Sequence, residues 1–422
     1  MKRTLADFNF FYSLFLPITG FGTICHYRNI TIKGKENIPE GEHYIIAPNH
    51  QNALMEPMLV LQMTRKTTVF LARADIFKKP VARFFLTWLR ISPVYRIRDG
   101  RDQLSKNEEV FKNARAALET GAPLCLMAEG RHNDKHQLLP LVKGMFRIAC
   151  GTQKELGDKP LYILPVGIDY DDYEDLYSSV CVNIGKPIDV RSFMTEYDGN
   201  EPVALNQMRA SLTKSLKGQI HHVNSQEHYE AEYAYCHYKT QELLQQLGEK
   251  NNAWGRYMAR KYCSEQMLLK SEEEQSVCYE QGERFAEQCR RAGVPMWFAS
   301  KGWSQRQSVE AILIILIVLG VLIGTRLLKF WLLSNLVLFL PTHIICKKKI
   351  KDPQFRSSVN YGIRLLLQFI NAIVVFIVAT CSRGFLFGVG MVLLGMMSAY
   401  ITPRLFILFR DLWYGSRLRR VK

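Results

Sequence analysis

The sequence predicts an α/β domain with a mostly parallel sheet, followed by a helical extension and a C-terminal region of apolar helices. Short β-like runs alternate with helical stretches from residue 29 to about residue 190, which is typical of a parallel sheet covered by helices. Residues 202–300 carry few strand signals and many Gln, Glu and Lys at helical spacing. Four long apolar runs, at or near the length that crosses a bilayer, fill the tail.

Local periodicity and turn residues place the individual elements. Strands are predicted at residues 30–33, 43–47, 68–71, 93–97, 124–127, 161–166 and 180–184. Helices are predicted between them at residues 54–64, 82–89, 106–120 and 145–151. The chain then divides into an interfacial segment (1–28), an α/β domain (29–200), a helical extension (201–300) and a transmembrane region of about four helices (301–422).

The positive charge of the chain is concentrated in its apolar tail. The net charge is +16, yet residues 303–422 alone hold 16 Lys and Arg against 3 Asp and Glu. If four helices cross in order, twelve of these cations share one membrane face and three face the other: Arg326, Lys329 and Arg383. The positive-inside rule therefore predicts an integral membrane protein with its N-terminal half in the cytoplasm. Nucleic-acid binding is not expected, because the basic residues flank apolar spans.

Three further features of the sequence bear on membrane attachment and on metal or disulfide sites. Residues 8–25 are aromatic and predict an interfacial helix broken at Pro17, with a buried domain helix as the alternative. Ten cysteines without a CxxC pair indicate reduced structural thiols rather than a zinc or disulfide framework. The acidic run at residues 169–175 resembles a metal site but is interpreted as an acidic surface loop.

A histidine and a carboxylate follow the second predicted strand. The strand ends at Ala47, His50 falls in the turn, and Glu56 begins the next helix. A carboxylate beside an imidazole fixes its tautomer and stabilises the imidazolium, which suits the pair to deprotonate an alcohol. Spacing alone is a weak signal, because such pairs are frequent by chance.

Cationic residues follow other predicted strand ends, where α/β sheets commonly bind ligands. Arg96 and Arg98 lie at the end of one strand, Arg131 follows Glu129 and Gly130 after another, and Lys143 lies a short distance on. Each could be an ordinary solvated residue. Together they predict a pocket for a polyanion such as a phosphate.

This set of motifs, in this order, resembles the glycerophospholipid acyltransferases. The resemblance rests on Asn49-His50 with Glu56, on Pro93 to Arg96, on Glu129-Gly130-Arg131, on Pro140 with Lys143-Gly144, and on Leu164 to Val166. It covers about residues 28–190. It implies transfer of a fatty acyl group from acyl-CoA or acyl-carrier protein to a hydroxyl of glycerol-3-phosphate or a lysolipid, without cofactor or metal.

The resemblance also implies roles for individual residues. His50 would be the general base and Glu56 its orienting partner, whereas Arg96, Glu129, Gly130 and Arg131 would hold the acceptor phosphate with support from Lys143. Arg98 is an alternative to Arg96.

The sequence departs from the family pattern in two places. Five residues separate His50 from a Glu where four residues and an Asp are usual, and Ala128 replaces a Pro in a motif that is one residue shorter. A catalytically silent lipid-binding protein of the same fold is therefore the alternative to an enzyme.

Overall fold

A computed structural model of the chain describes residues 10–64, 66–78, 80–95, 106–173, 177–197, 200–324 and 326–421. By their internal contacts the described residues form two units. The first takes its residues from 1–20, 31–169 and 181–222, and the second from 21–30, 170–180 and 223–422. Each unit is described by itself below.

The strands form one sheet. They are Asn29–Lys33 (β1), His43–Pro48 (β2), Val69–Arg73 (β3), Ile91–Val94 (β4), Leu124–Leu126 (β5), Leu161–Tyr170 (β6), Ser179–Ile184 (β7) and Ile188–Asp189 (β8). The order is β1-β7-β6-β2-β5-β3-β4, with β8 paired to β6. Strands β6, β2, β5, β3 and β4 pair in parallel, whereas β8 is antiparallel to β6. The predicted mostly parallel sheet is confirmed.

The helices follow the predicted distribution. They are Phe10–His26 (α1), Met55–Met63 (α2), Pro80–Trp88 (α3), Lys106–Glu119 (α4), Gly144–Leu156 (α5), Val190–Glu196 (α6), Glu201–Lys217 (α7), Tyr229–Gln246 (α8), Ala253–Met267 (α9), Glu272–Ala292 (α10), Met296–Lys301 (α11), Gln305–Gly324 (α12), Arg326–Lys349 (α13), Pro353–Arg383 (α14) and Phe385–Leu418 (α15). The helical extension after the sheet is confirmed, and β8 is the strand that sequence patterning missed.

The core of the first unit is built from the central strands and three helices. Ile45 of β2, Leu124 of β5 and Ile163 of β6 are fully buried and pack with side chains of α4, α5 and α7. Strands buried by helices consist of nearly continuous apolar residues, as these do. This core fixes the height at which each strand ends, and therefore where the loops after β2, β5 and β6 meet.

The N-terminal helix differs from its prediction in one respect. Helix α1 runs without interruption through Pro17, so the expected break there is wrong. Proline removes one backbone hydrogen bond and kinks a helix, but it does not have to end one. The described face of α1 includes exposed Phe10, Leu14 and Ile24. The interfacial location of this helix stays a prediction.

The tail contains the four expected helices, α12 to α15. Among the described residues, two segments are long and apolar enough to cross a membrane by length and composition: Phe355–Arg383 with 29 residues and Phe385–Val421 with 37. The structure contains no bilayer. The number of crossings and their direction therefore stay predictions.

The described part of the acidic run, residues 169–173, is not the solvated surface loop that its composition indicated, because Asp169 and Asp171 are buried. In the second unit, Asp171 is buried and accepts hydrogen bonds from Arg256 Nη2 (2.7 Å) and from Arg260 Nη1 (3.1 Å). Burial alone would raise the pKa of Asp171, but the two guanidinium groups hold it well below its usual range. A charge that looks surface-exposed in the sequence is thus paired inside the fold.

Because two buried guanidinium groups depend on Asp171, we expect Asp171→Asn to destabilise the protein by about 3–5 kcal/mol. The depressed pKa means that the pair contributes its full stability above the unfolded pKa of about 3.9 and loses it as the pH falls further. Thermal unfolding of the full chain at pH 3–7 measures both effects.

The matched control is Glu280→Gln, which removes an ion pair to Arg284 whose side chains are 61 % and 75 % exposed. Its effect should stay below about 1 kcal/mol. Equal effects of the two substitutions would contradict the importance of the buried pair.

Candidate active site

The candidate site lies where three parallel strands end. Strands β5 and β6 flank β2 on either side and run parallel to it, so their carboxyl ends share one edge of the sheet. His50 follows the end of β2 by two residues, and Glu129 follows the end of β5 by three. Loops at this edge are the usual ligand-binding position of α/β sheets.

His50 and Glu56 form a hydrogen-bonded pair. His50 Nδ1 lies 3.2 Å from Glu56 Oε2, and the imidazole side chain is 16 % exposed whereas Glu56 is fully buried. Because a carboxylate only accepts hydrogen bonds, the proton of the neutral imidazole is placed on Nδ1. Nε2 is then left with its lone pair, ready to accept a proton from another group.

The turn between the two residues brings Glu56 back to the histidine. Glu56 Oε1 accepts the backbone N–H groups of Gln51 (3.1 Å) and Asn52 (2.5 Å), so both carboxylate oxygens are occupied. Ala53 adopts a φ of 44°, in the left-handed region that non-glycine residues rarely occupy. This tight turn accommodates the additional residue between His50 and Glu56. The longer side chain of Glu then reaches the imidazole ring.

A second buried carboxylate joins the loops after β2 and β5. Glu129 Oε1 accepts the backbone N–H of His50 at 2.7 Å, and Glu129 Oε2 accepts that of Leu139 at 2.8 Å. Burial raises the pKa of Glu129 to about 7 against the opposing effect of these two hydrogen bonds. The resemblance implied that Glu129 contacts substrate, but this geometry supports a role in positioning the loop that carries His50.

The loop after β5 folds around His50. The N–H of Asn133 donates to the carbonyl of His50 at 2.9 Å, and Gln51 Nε2 donates to the carbonyl of Lys135 at 3.0 Å. Gly130 has a φ of 66°, and a Cβ there would lie 2.9 Å from a methyl group of Val142. Glycine is therefore required at this turn, which is the local reason for the Glu129-Gly130-Arg131 sequence.

The predicted cations are partly brought together. Arg131 and Lys143 are both exposed. They lie on adjacent segments, because the N–H of Val142 donates to the carbonyl of Ala128 at 2.8 Å. Arg96 and its alternative Arg98 lie outside the described residues, so their predicted role in binding phosphate stays a prediction.

Two residues near the pair were not assigned to the predicted site. The amide of Asn49 exchanges hydrogen bonds with the backbone of Ile168 at 2.7 and 3.0 Å, which ties the end of β2 to β6. The ring of His132 meets the His50 ring edge-on, with 5.7 Å between centroids. The sequence signal for Asn49 was its position before His50 in the motif. The sequence signal for His132 was its position next to Arg131.

Comparison with known proteins is consistent with this site. A family model described as Acyltransferase matches residues 29–169, which contain β1 to β5, all of β6 except Tyr170, and every described residue of the predicted site. Among solved structures, six chains match. One is the 1-acyl-sn-glycerophosphate (LPA) acyltransferase PlsC from Thermotoga maritima, with 22 % identity over 48 % of this chain and 80 % of that chain, at a TM-score of 0.35. No curated protein matches the sequence.

The family match supports the class of protein that the motif order predicts, and it covers residues 29–169. The resemblance that the motif order predicted is therefore confirmed for this part of the chain.

Because the folded pKa of Glu129 is raised to about 7, the folded protein retains a proton that the unfolded chain releases near pH 4.3. Stability should therefore fall as the pH rises from about 4 to about 7 and change little above that, by an amount on the order of a few kcal/mol. Glu129→Gln should remove this pH-dependent fall in stability. Thermal unfolding of the two proteins at pH 5–8 measures the difference, and a constant difference across this range would contradict the assignment.

Proposed function

We propose that this protein is a membrane-bound O-acyltransferase of phospholipid biosynthesis. It transfers a fatty acyl group from acyl-CoA or acyl-carrier protein to a hydroxyl of glycerol-3-phosphate or 1-acylglycerol-3-phosphate. The observation that carries the proposal is the His50–Glu56 pair. Glu56 contacts Nδ1 of His50, so Nε2 is the nitrogen that can accept a proton. The pair lies in the part of the chain that matches the acyltransferase family.

The pair supports direct transfer with His50 as the general base. Nε2 takes the proton of the acceptor hydroxyl while that oxygen attacks the thioester carbonyl carbon. The C–S bond then breaks, and the imidazolium returns the proton to the departing thiolate. Glu56 stabilises the imidazolium in between, and its two backbone hydrogen bonds keep its carboxylate in place.

The exposed cations support a phosphorylated acceptor. Arg131 and Lys143 extend from segments that are hydrogen-bonded to each other beside His50, and a guanidinium group can hold a phosphate with two parallel hydrogen bonds. We include Arg96 in this pocket on the motif resemblance alone. A phosphate held there would place a neighbouring hydroxyl of the glycerol near His50.

The membrane part of the proposal rests on the tail. Two helices have the length and composition of membrane spans, and the basic residues of the tail are distributed unequally between its predicted loops. We propose that the catalytic domain works at the cytoplasmic face, where a lysolipid acceptor and the product can stay in the bilayer.

The deciding assay incubates the full chain, in detergent or nanodiscs, with acyl-CoA or acyl-carrier protein and a panel of acceptors: glycerol-3-phosphate, 1-acylglycerol-3-phosphate and unphosphorylated monoacylglycerol. We expect thiol release and ester formation with a phosphorylated acceptor, reduced about 10²- to 10⁴-fold by His50→Ala. Glu56→Gln should cause a loss in kcat of similar order, because its amide would donate to Nδ1 and favour the tautomer that has its proton on Nε2.

The control for these two variants is His228→Ala, which removes an exposed histidine from the second unit. It should keep full activity. Absence of His50-dependent thiol release with every donor and acceptor would instead support a catalytically silent lipid-binding protein.

Arg131→Ala tests the acceptor pocket. Losing a charge-assisted hydrogen bond costs about 1.5–3 kcal/mol, so the KM for the phosphorylated acceptor should rise about 10- to 100-fold while the KM for the acyl donor changes little. Arg147→Ala removes an exposed arginine of α5 and should leave both constants unchanged. Equal increases for donor and acceptor would exclude Arg131 from phosphate binding.

A further inference from the structure

A second cluster of titratable side chains lies behind the His50 loop. His136 of the loop after β5, Asp169 near the end of β6 and His221 after α7 are 2 %, 2 % and 0 % exposed. One ligand atom from each lies within 4.8 Å of the other two. All three belong to the first unit, so their proximity is a property of one compact body.

From this arrangement, we propose that His136, Asp169 and His221 bind one divalent transition-metal ion, Zn²⁺ by preference, as a structural site. Two imidazole nitrogens and one carboxylate oxygen are a donor set that zinc uses in proteins. Three groups with this chemistry are brought together here from segments 33 and 52 residues apart in the sequence.

The distances between these groups are close to those that a tetrahedral ion requires. His136 Nδ1 lies 3.6 Å from Asp169 Oδ2. Two ligands with bonds of about 2.0–2.1 Å at a tetrahedral metal stand about 3.4 Å apart, so this pair needs only a small movement. The centroids of the two imidazole rings are 5.4 Å apart, which leaves room for an ion between their nitrogens.

Burial and charge also favour a cation. An ionised carboxylate inside a protein needs a compensating charge or hydrogen bonds. Asp171, two residues further on, has two guanidinium groups for this purpose. Asp169 lies beside two imidazoles and accepts the backbone N–H of His221 at 3.0 Å, and imidazoles bind metals in their neutral form. A divalent ion held by these three groups would place a positive charge next to the buried carboxylate.

Hydrogen bonds connect the neighbours of two of these three residues to the loop that carries His50. The residue before His136 accepts a hydrogen bond from Gln51, and the residue before Asp169 is clamped by Asn49. His222, next to His221, accepts the N–H of Leu138 through Nδ1 at 3.2 Å. A metal here would therefore cross-link the three segments that support His50. It takes no part in the proposed proton transfer.

The experiment uses full-length protein that is stripped with a chelator and then dialysed against Zn²⁺, with the bound metal measured by mass spectrometry. We expect about one more Zn²⁺ per chain in the wild type than in the double variant His136→Ala/His221→Ala. Because the comparison is a difference between the two proteins, Zn²⁺ bound by other residues cancels. Asp169→Asn keeps the shape of the side chain and should weaken binding at least about tenfold. His228→Ala, which removes an exposed histidine of the second unit, is the matched control and should bind as much Zn²⁺ as the wild type.

Co²⁺ provides a readout that depends on neither the variants nor activity. Replacing Zn²⁺ by Co²⁺ in the wild type should produce the visible bands of a tetrahedral site with nitrogen and oxygen ligands, and these bands should disappear on chelation. Equal Zn²⁺ content in the wild type and the double variant would overturn the proposal. If the double variant does not fold, absence of the Co²⁺ bands in the wild type would overturn it. If the protein transfers acyl groups but takes up no Zn²⁺ after dialysis, the metal site is refuted and the proposed function stays intact.

Discussion

The hydrogen bond from the backbone N–H of His50 to the buried carboxylate of Glu129 is the contact on which the site depends. It joins the loop after β2 to the loop after β5, and the other oxygen of Glu129 extends the link to Leu139. His50 is therefore positioned through its backbone by one carboxylate and through its ring by another, Glu56. Catalytic geometry requires such double support, because a base that shifts by about 1 Å loses much of its effect.

The two carboxylates differ in how their charge is accommodated. Both oxygens of Glu56 are occupied, by two backbone N–H groups and by an imidazole that becomes cationic when it takes a proton. Glu129 accepts two neutral backbone N–H groups and has a pKa raised by burial. A carboxylate beside the reacting imidazole is suited to stabilise developing charge, whereas one with neutral partners is suited to hold a fold. This difference separates the proposed chemical role from the positioning role.

The proposed metal site continues the same construction on the other side of the loop. The side chain of Asn49 fastens the end of β2 to β6, and His136, Asp169 and His221 gather the segments beneath it. The loops of the active site are thus supported by polar contacts in addition to apolar packing, to which the loop after β5 contributes Ala128 and Leu141.

The sequence by itself determined the α/β class, the parallel sheet, the helical extension and the acyltransferase motifs, because alternating elements and motif order are properties of local sequence. Only the tertiary structure decided which charges are buried. Asp169 and Asp171 belong to an acidic run whose composition predicted a solvent-exposed loop, yet both are buried. Glu129 belongs to a motif that predicted a substrate contact, yet it holds two backbone N–H groups. Burial and partners depend on residues distant in sequence, such as Arg256 and His221, and no local pattern encodes such distances.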